Sequence, residues 1–339
     1  MGKRDRNPHK SMSFVAVADA FLQWLKPHRA EGTFDFYRYR VERFCQRYPN
    51  LQLADVRPYH CQQWVDSYPH LAKTSRRHYL KSIKRCVNWA YRQGYISSYP
   101  LKDLEIPSGD RRELCLSREE FDTMLSHIPQ DWFRNLCLVA FETGCRPQEI
   151  TRVEARHYDA VYARWVFPVS ESKGKRQPRV VYLTPKAEKI TKDLVQRFPE
   201  GRLFRTDRGT PVKLDSIHRV FHALQLRMAK TVLQKQGISI DNVLQQELMR
   251  QGDTRSMEEL SKIELRKLTN CALAHFAPRC CLYTMRHSFA TAALQSGLDG
   301  LTVGILLGHR DPGMLARVYQ HVSQNPQHML DQVRKTARE

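Results

Sequence analysis

The sequence has no apolar run of about 18 residues, the length that a membrane-spanning helix requires, so no segment is expected to cross a bilayer. It is also poor in acidic residues. The 339 residues hold 35 Asp and Glu against 55 Lys and Arg, a formal net charge of +20. An excess of that size points first to a polyanionic partner, with nucleic acid ahead of an anionic membrane surface. Nine cysteines are present, an odd number, scattered, with no C-x-x-C pair, and Cys280 and Cys281 are adjacent, which is poor geometry for one metal ion. They read as reduced thiols of a cytosolic protein, and no metal site is expected. No H-E-x-x-H or paired-carboxylate motif occurs, and Asp and Glu are scarce in the apolar segments, which counts against a metal-dependent nuclease or transposase. The opening MGKRDRNPHKSM carries charge with no apolar core behind it, so a secretory signal is not expected there. Internal repeats and low-complexity tracts are lacking.

What is present reads as two domains, since the length supports more than one core. Residues 1–105 read as a helical domain, 106–115 as a linker overlapping the proline-bearing stretch YPLKDLEIPSGDRREL (99–114), and 116–339 as a second, larger domain. In the first, SFVAVADAFLQWL (13–25) and TFDFYRYRVERFCQRY (33–48) show helical spacing, with Thr33 as candidate N-cap, and a short helix is expected around 57–68. The long basic helix 71–96 places Arg76, Arg77, Lys81, Lys84 and Arg85 largely off its apolar stripe. Residues 1–110 hold 19 Lys and Arg against 10 Asp and Glu, so these cations have few acidic partners, and phosphate contact is favoured over a solvated face.

The second domain opens with a capping-box pattern, Ser117 to Glu120. WFRNLCLVAFETG (132–144) is apolar all round and reads as a buried helix. WVFPV (165–169) and RVVYL (179–183) flank the basic loop SESKGKRQP and read as a β-hairpin. Helices are expected at 185–197, 214–234, 284–297 and 301–309. Residues 235–279 are polar and helix-prone, with Gly237 and Gly252 as breaks, and exceed what a connection needs. The expected fold class is mainly α with a small β-hairpin or sheet, an α+β arrangement.

Phosphate chemistry without a metal calls for a nucleophile, forked cations on the non-bridging oxygens, and an acid for the leaving oxygen. TGCRPQEI presents Arg146 at a helix end, where Gly144 and Pro147 force a turn, and YTMRHSFAT puts Arg286 in a helix otherwise suited to burial. The hairpin loop offers Lys173 and Lys175, LGH ends a helix at His309, and Tyr319 follows in RVYQHV. Taken singly these residues have ordinary readings: a C-cap arginine, turn lysines, a half-buried tyrosine.

Together, and in this order over about 115–325, they resemble the tyrosine recombinase, or phage integrase, family. The resemblance implies Arg146 as the first catalytic arginine with Glu149 as its acidic companion, and Lys173, with Lys175 second, as the hairpin lysine. It implies Arg286 as the second arginine, His309 at the His/Trp position and Tyr319 as nucleophile. Tyr283 stands where the family's H-x-x-R motif carries its histidine. The implied fold is a helical DNA-binding domain ahead of the catalytic domain. The implied activity is site-specific DNA cleavage and rejoining through a 3′-phosphotyrosyl bond, with no cofactor, metal or ATP. The implied assembly is a homotetramer on two double-stranded DNA sites, with room for accessory DNA-bending proteins. The implied location is the cytoplasm, in association with the nucleoid. Alternatives are a type IB topoisomerase-like nicking and closing enzyme, and a DNA-binding protein with a decayed active site.

Overall fold

The computed structural model describes residues 12–109, 114–172 and 176–309. The chain divides into two compact units, Met1–Arg112 and Glu113–Glu339. It is mainly helical with one small antiparallel sheet. None of the described helices is long and apolar enough to cross a membrane.

The first unit consists of α1 (Phe14–His28), α2 (Glu31–Arg47), α3 (Pro58–Asp66) and α4 (Lys73–Arg92). Aromatic residues at helical spacing meet in its core. Phe44 lies edge-on to Phe14 and to Trp64, with ring centroids 5.0 and 5.1 Å apart, an arrangement that the ring quadrupoles favour. Thr33 is not the N-cap of α2. The helix starts two residues earlier from Ala30, whose extended backbone (φ −60°, ψ 146°) begins the turn, and the Thr33 amide already donates to the Ala30 carbonyl at 2.8 Å. The first half of the proline-bearing stretch belongs to this unit. Leu101 and Leu104 are buried in the core of the first unit. Lys84 Nζ donates to the Lys102 and Leu104 carbonyls, and Arg77 Nη1 to that of Pro107. Two buried leucines and three hydrogen bonds from α4 dock the segment.

The second unit starts with α5 (Arg118–Ser126). Its N-cap Ser117 and Glu120 satisfy each other's amides at 3.2 and 2.7 Å, the capping box read from the sequence. α6 (Asp131–Thr143) is buried along most of its length and ends at Gly144, in the left-handed conformation (φ 59°). A short helix α7 (Pro147–Ile150) follows. Strands β1 (Tyr158–Asp159), β2 (Arg164–Phe167) and β3 (Arg179–Tyr182) form the sheet in the order β1-β2-β3, with Trp165 opposite Val181 and Phe167 opposite Arg179. The hairpin expected from WVFPV and RVVYL is therefore present, and β1 extends it by one short strand. α8 (Pro185–Arg197) and α9 (Leu214–Gln236) come next, then α10 (Ile240–Arg250), α11 (Lys262–Leu273), α12 (Leu282–Gln295) and α13 (Gly300–Leu307).

Residues 235–279 form two of these helices. α10, α11 and the second half of α9 enclose a core of their own around Leu233, Leu244, Leu248, Leu268 and Leu273, separate from the main core beneath α6 and the sheet. Gly237 and Gly252 mark the ends of α9 and α10, both with positive φ. The segment is a helical hairpin built on an extension of α9.

Candidate active site

Arg146 is the N-cap of α7, and Pro147 at the first helical position fixes the turn. The Glu149 carboxylate reaches back to this cap. Its Oε2 accepts from the Arg146 amide at 2.8 Å and its Oε1 from Arg146 Nη1 at 2.7 Å. Arg146 Nη2 donates to the Gly308 carbonyl at the end of α13. Arg286, on the buried side of α12 and 4% exposed, donates from Nη1 to the Gly144 carbonyl and from Nη2 to the Leu307 carbonyl, both at 2.7 Å. Each arginine thus holds a carbonyl at a glycine-capped helix end, so α6, α7, α12 and α13 are fastened together at one place.

Gly144 is required twice over at this junction. Its φ is positive, and a Cβ there would lie 2.5 Å from Phe289 Cδ1 and 2.9 Å from Leu307 Cδ2. Its absence lets α12 and α13 close on the end of α6. Gly308 plays the same part at the end of α13, where a Cβ would meet the guanidinium of Arg179 at 2.9 Å.

Arg179 is the residue that sequence reading passed over. It opens β3 on the buried side, facing inward with Val181 by strand alternation. Its Nε and Nη2 donate to Glu149 Oε1 and Oε2 at 3.1 and 3.4 Å. The sequence signal was an arginine at an inward position of an otherwise apolar strand. Two guanidinium groups, those of Arg146 and Arg179, face the carboxylate of Glu149, and Arg286 lies beside the same turn, near Cys145. Burial alone would raise the Glu149 pKa. Arg179, together with the Arg146 amide and guanidinium, outweighs that and holds the carboxyl below its ordinary range.

His309 follows Gly308, and its amide closes α13 by donating to the Gly304 carbonyl at 2.8 Å. Burial pushes its imidazole down to about 4, and Arg286, Arg146, Arg179 and His287 push the same way. The ring is therefore neutral at neutral pH, with one nitrogen a donor and the other an acceptor. Its Nδ1 is buried without a hydrogen-bond partner among the described residues. Tyr283 lies in the first turn of α12, three residues before Arg286, and is 49% exposed.

The approach to the hairpin loop is firmly held. Glu171 accepts from Arg156 Nη2 at 2.8 Å and lies 3.1 Å from His157 Nε2. Lys173, Lys175 and Tyr319 lie outside the described residues. In the first unit the five candidate phosphate contacts of α4, Arg76, Arg77, Lys81, Lys84 and Arg85, separate into two sets. Arg76 pairs with Asp66, and Arg77 and Lys84 hold the 102–107 segment. Lys81 and Arg85 have no such tie among the described residues, and with Lys84 they line an open cavity of about 430 Å³ together with Tyr37, Asn88, Tyr99 and Ile106.

The model of the phage integrase family matches residues 115–325, well over half of the chain. Comparison with curated proteins gives no match. Among solved structures, the chain is similar to the Tn1549 transposon integrase in complex with transposon right end DNA, at 14% identity. That match covers 91% of this chain and 95% of the other, with a TM-score of 0.63. It is also similar to a lambda integrase dimer bound to a COC′ core site, at 12% identity over 92% of this chain and 78% of that one, with a TM-score of 0.64. A lambda integrase tetramer bound to a Holliday junction matches at 13% identity over 91% and 80%, with a TM-score of 0.63. At these identities the structures show a shared fold, and the family match supplies the rest: the chain belongs to the phage integrase family and is a tyrosine recombinase, an enzyme of the DNA breaking and rejoining class.

Proposed function

We propose that the chain is a site-specific DNA recombinase or integrase that works through a covalent tyrosyl intermediate. The Tyr319 hydroxyl attacks a DNA phosphate, the bond from phosphorus to the 5′-oxygen breaks, and a 3′-phosphotyrosyl ester forms. Arg146 and Arg286 hold the non-bridging oxygens, whose charge grows in the transition state, and neutral His309 adds a hydrogen bond there. Lys173 delivers the proton that the departing 5′-oxygen takes up, with Lys175 as the second candidate. Tyr283 supports the phosphate by a hydrogen bond from the histidine slot. The ester retains the bond energy, so a 5′-hydroxyl can reverse the step without ATP. Strand exchange follows when that hydroxyl comes from another duplex.

The observation that carries this reading is the gathering of Arg146, Arg286 and His309 from three separate segments around one excess of positive charge. The two arginines also fasten the surrounding helices, but a neutral histidine buried beside them, its Nδ1 without a partner among the described residues, costs desolvation with no such structural return. The chain is proposed to act as a homotetramer on two duplex sites, a reading supported by the lambda integrase tetramer of the same fold, which is bound to a Holliday junction.

Two differently labelled duplexes bearing a sequence to which the protein attaches covalently, incubated with the protein in EDTA, test the reading. Recombinant strands joining the two labels are expected. Nicking and closing without exchange would leave the topoisomerase alternative, and strict dependence on a divalent ion would remove the tyrosyl mechanism.

A further inference from the structure

We propose that Arg179 is a positioning residue for Arg146, acting through the Glu149 carboxylate and the Gly308 backbone. The inference rests on the reading of Arg146 as a phosphate-binding residue and extends it to a group that does not itself touch the phosphate. All three guanidinium nitrogens of Arg179 donate to protein oxygens, Nε and Nη2 to Glu149 and Nη1 to the Val180 carbonyl, which directs the group at Glu149.

The geometry supplies two lines of support. Each Glu149 oxygen accepts from both arginines: Oε1 from Arg146 Nη1 and Arg179 Nε, and Oε2 from the Arg146 amide and Arg179 Nη2. The Arg179 fork spans both oxygens, which fixes the carboxylate plane and hence the direction of Arg146 Nη1. The second line runs through Gly308. The Arg179 guanidinium occupies the space of the missing Cβ, while the Gly308 carbonyl accepts from Arg146 Nη2. Arg146 Nη1 is therefore directed by an oxygen that Arg179 holds, and Nη2 by the carbonyl of a glycine packed against Arg179. Arg179 Nη1 is anchored in turn on the Val180 carbonyl.

Arg179 also decides the charge of Glu149. The groups facing this carboxylate are Arg146 on its own turn, Cys145 just before it and Arg179 from β3, with Arg286 from α12 and His309 from the end of α13 completing the cluster among the described residues. Arg179 is the first of the groups that offset burial, so without it Glu149 takes up a proton at a higher pH. A protonated Glu149 no longer orients a guanidinium by charge.

The test is the single-turnover rate of covalent adduct formation on a pool of nicked duplexes randomised around the nick, in EDTA, as a function of pH. DNA affinity and thermal melting are measured in parallel. Arg179→Gln is expected to slow adduct formation by roughly tenfold or more, the scale for disturbing one preorganised donor, with DNA affinity unchanged. The acid limb of its pH profile moves upward, since loss of rate follows protonation of Glu149. Arg179→Lys recovers part of the rate, because a point charge keeps Glu149 ionised but cannot span both oxygens. Glu149→Gln with Arg179→Gln is no slower than the slower single variant, and its raised acid limb is gone. If Arg179→Gln does not fold, the same cycle is run with Arg179→Lys, and the two substitutions must still fail to add. Additive effects, an unmoved acid limb, an unchanged rate, or unfolding of both Arg179 variants would overturn the proposal. Absence of any adduct with the unaltered chain would overturn the recombinase reading, and the Arg179 proposal with it.

Discussion

His309 is neutral in a cluster that is otherwise rich in fixed cations, and this has a measurable consequence. Its folded pKa, about 4, lies below the ordinary histidine value of 6.5. The unfolded chain therefore binds the proton first as the pH falls. The neutral ring contributes stability that is present above about pH 6.5, is lost progressively toward pH 4, and is gone below it. An NMR titration of the free protein should place the His309 midpoint well below that of the exposed histidines; a midpoint at or above 6.5 would contradict the burial. Gly144 gives a second expectation at this scale. Gly144→Ala combines a left-handed φ with contacts of 2.5 and 2.9 Å, and overpacking of this kind costs about 1–3 kcal/mol beyond the backbone strain. Denaturant melts of the variant should show the second unit destabilised by at least that amount, and a loss below about 0.5 kcal/mol, the scale of a neutral surface change, would mean that α12 and α13 yield freely. Arg146 and His309 stood out as candidates in the sequence because helix-end glycines and a proline mark their turns, and Arg286 because a basic residue interrupts a helix suited to burial. Arg179 did not, because its meaning depends on which face of β3 turns inward and on a glycine 129 positions away.

At the scale of elements, helix positions in the second unit were readable from periodicity, and α8 lies where 185–197 was expected. The helical hairpin α10–α11 was not readable as a unit, because its apolar residues are spread thinly and find one another only against the far half of α9. α4 shows a different limit. Its basic residues looked alike as a sequence, yet their roles diverge with what lies opposite them. The structure leads to a split outcome. Alanine at Lys81 and Arg85 should weaken binding to all DNA sequences and reduce the salt slope by about 0.9 for each phosphate no longer neutralised, with melting unchanged. Alanine at Arg77 and Lys84 should instead lower the stability of the first unit by about 1 kcal/mol for each broken tie to the 102–107 segment. Equal effects of both pairs on DNA binding, with no change in melting, would show that the docked segment needs neither side chain.

For the molecule as a whole, a net charge of +20 makes affinity for DNA steeply salt-dependent without saying anything about chemistry. The chemistry depends on whether the arginine cluster serves a tyrosine. A duplex nicked 3′ of the cleavage position lets the short fragment diffuse away, so no 5′-hydroxyl remains to reverse the attack. With the protein in EDTA, such a duplex should yield a complex that survives a denaturing gel. Protease digestion should leave the DNA attached to a peptide that contains Tyr319. Tyr319→Phe keeps the ring and removes only the attacking oxygen, so it should fold and bind DNA while forming no complex. A full yield of covalent complex with Tyr319→Phe, or DNA attached to a peptide bearing another tyrosine such as Tyr283, would place the nucleophile elsewhere and return Tyr319 to the role of a packing residue.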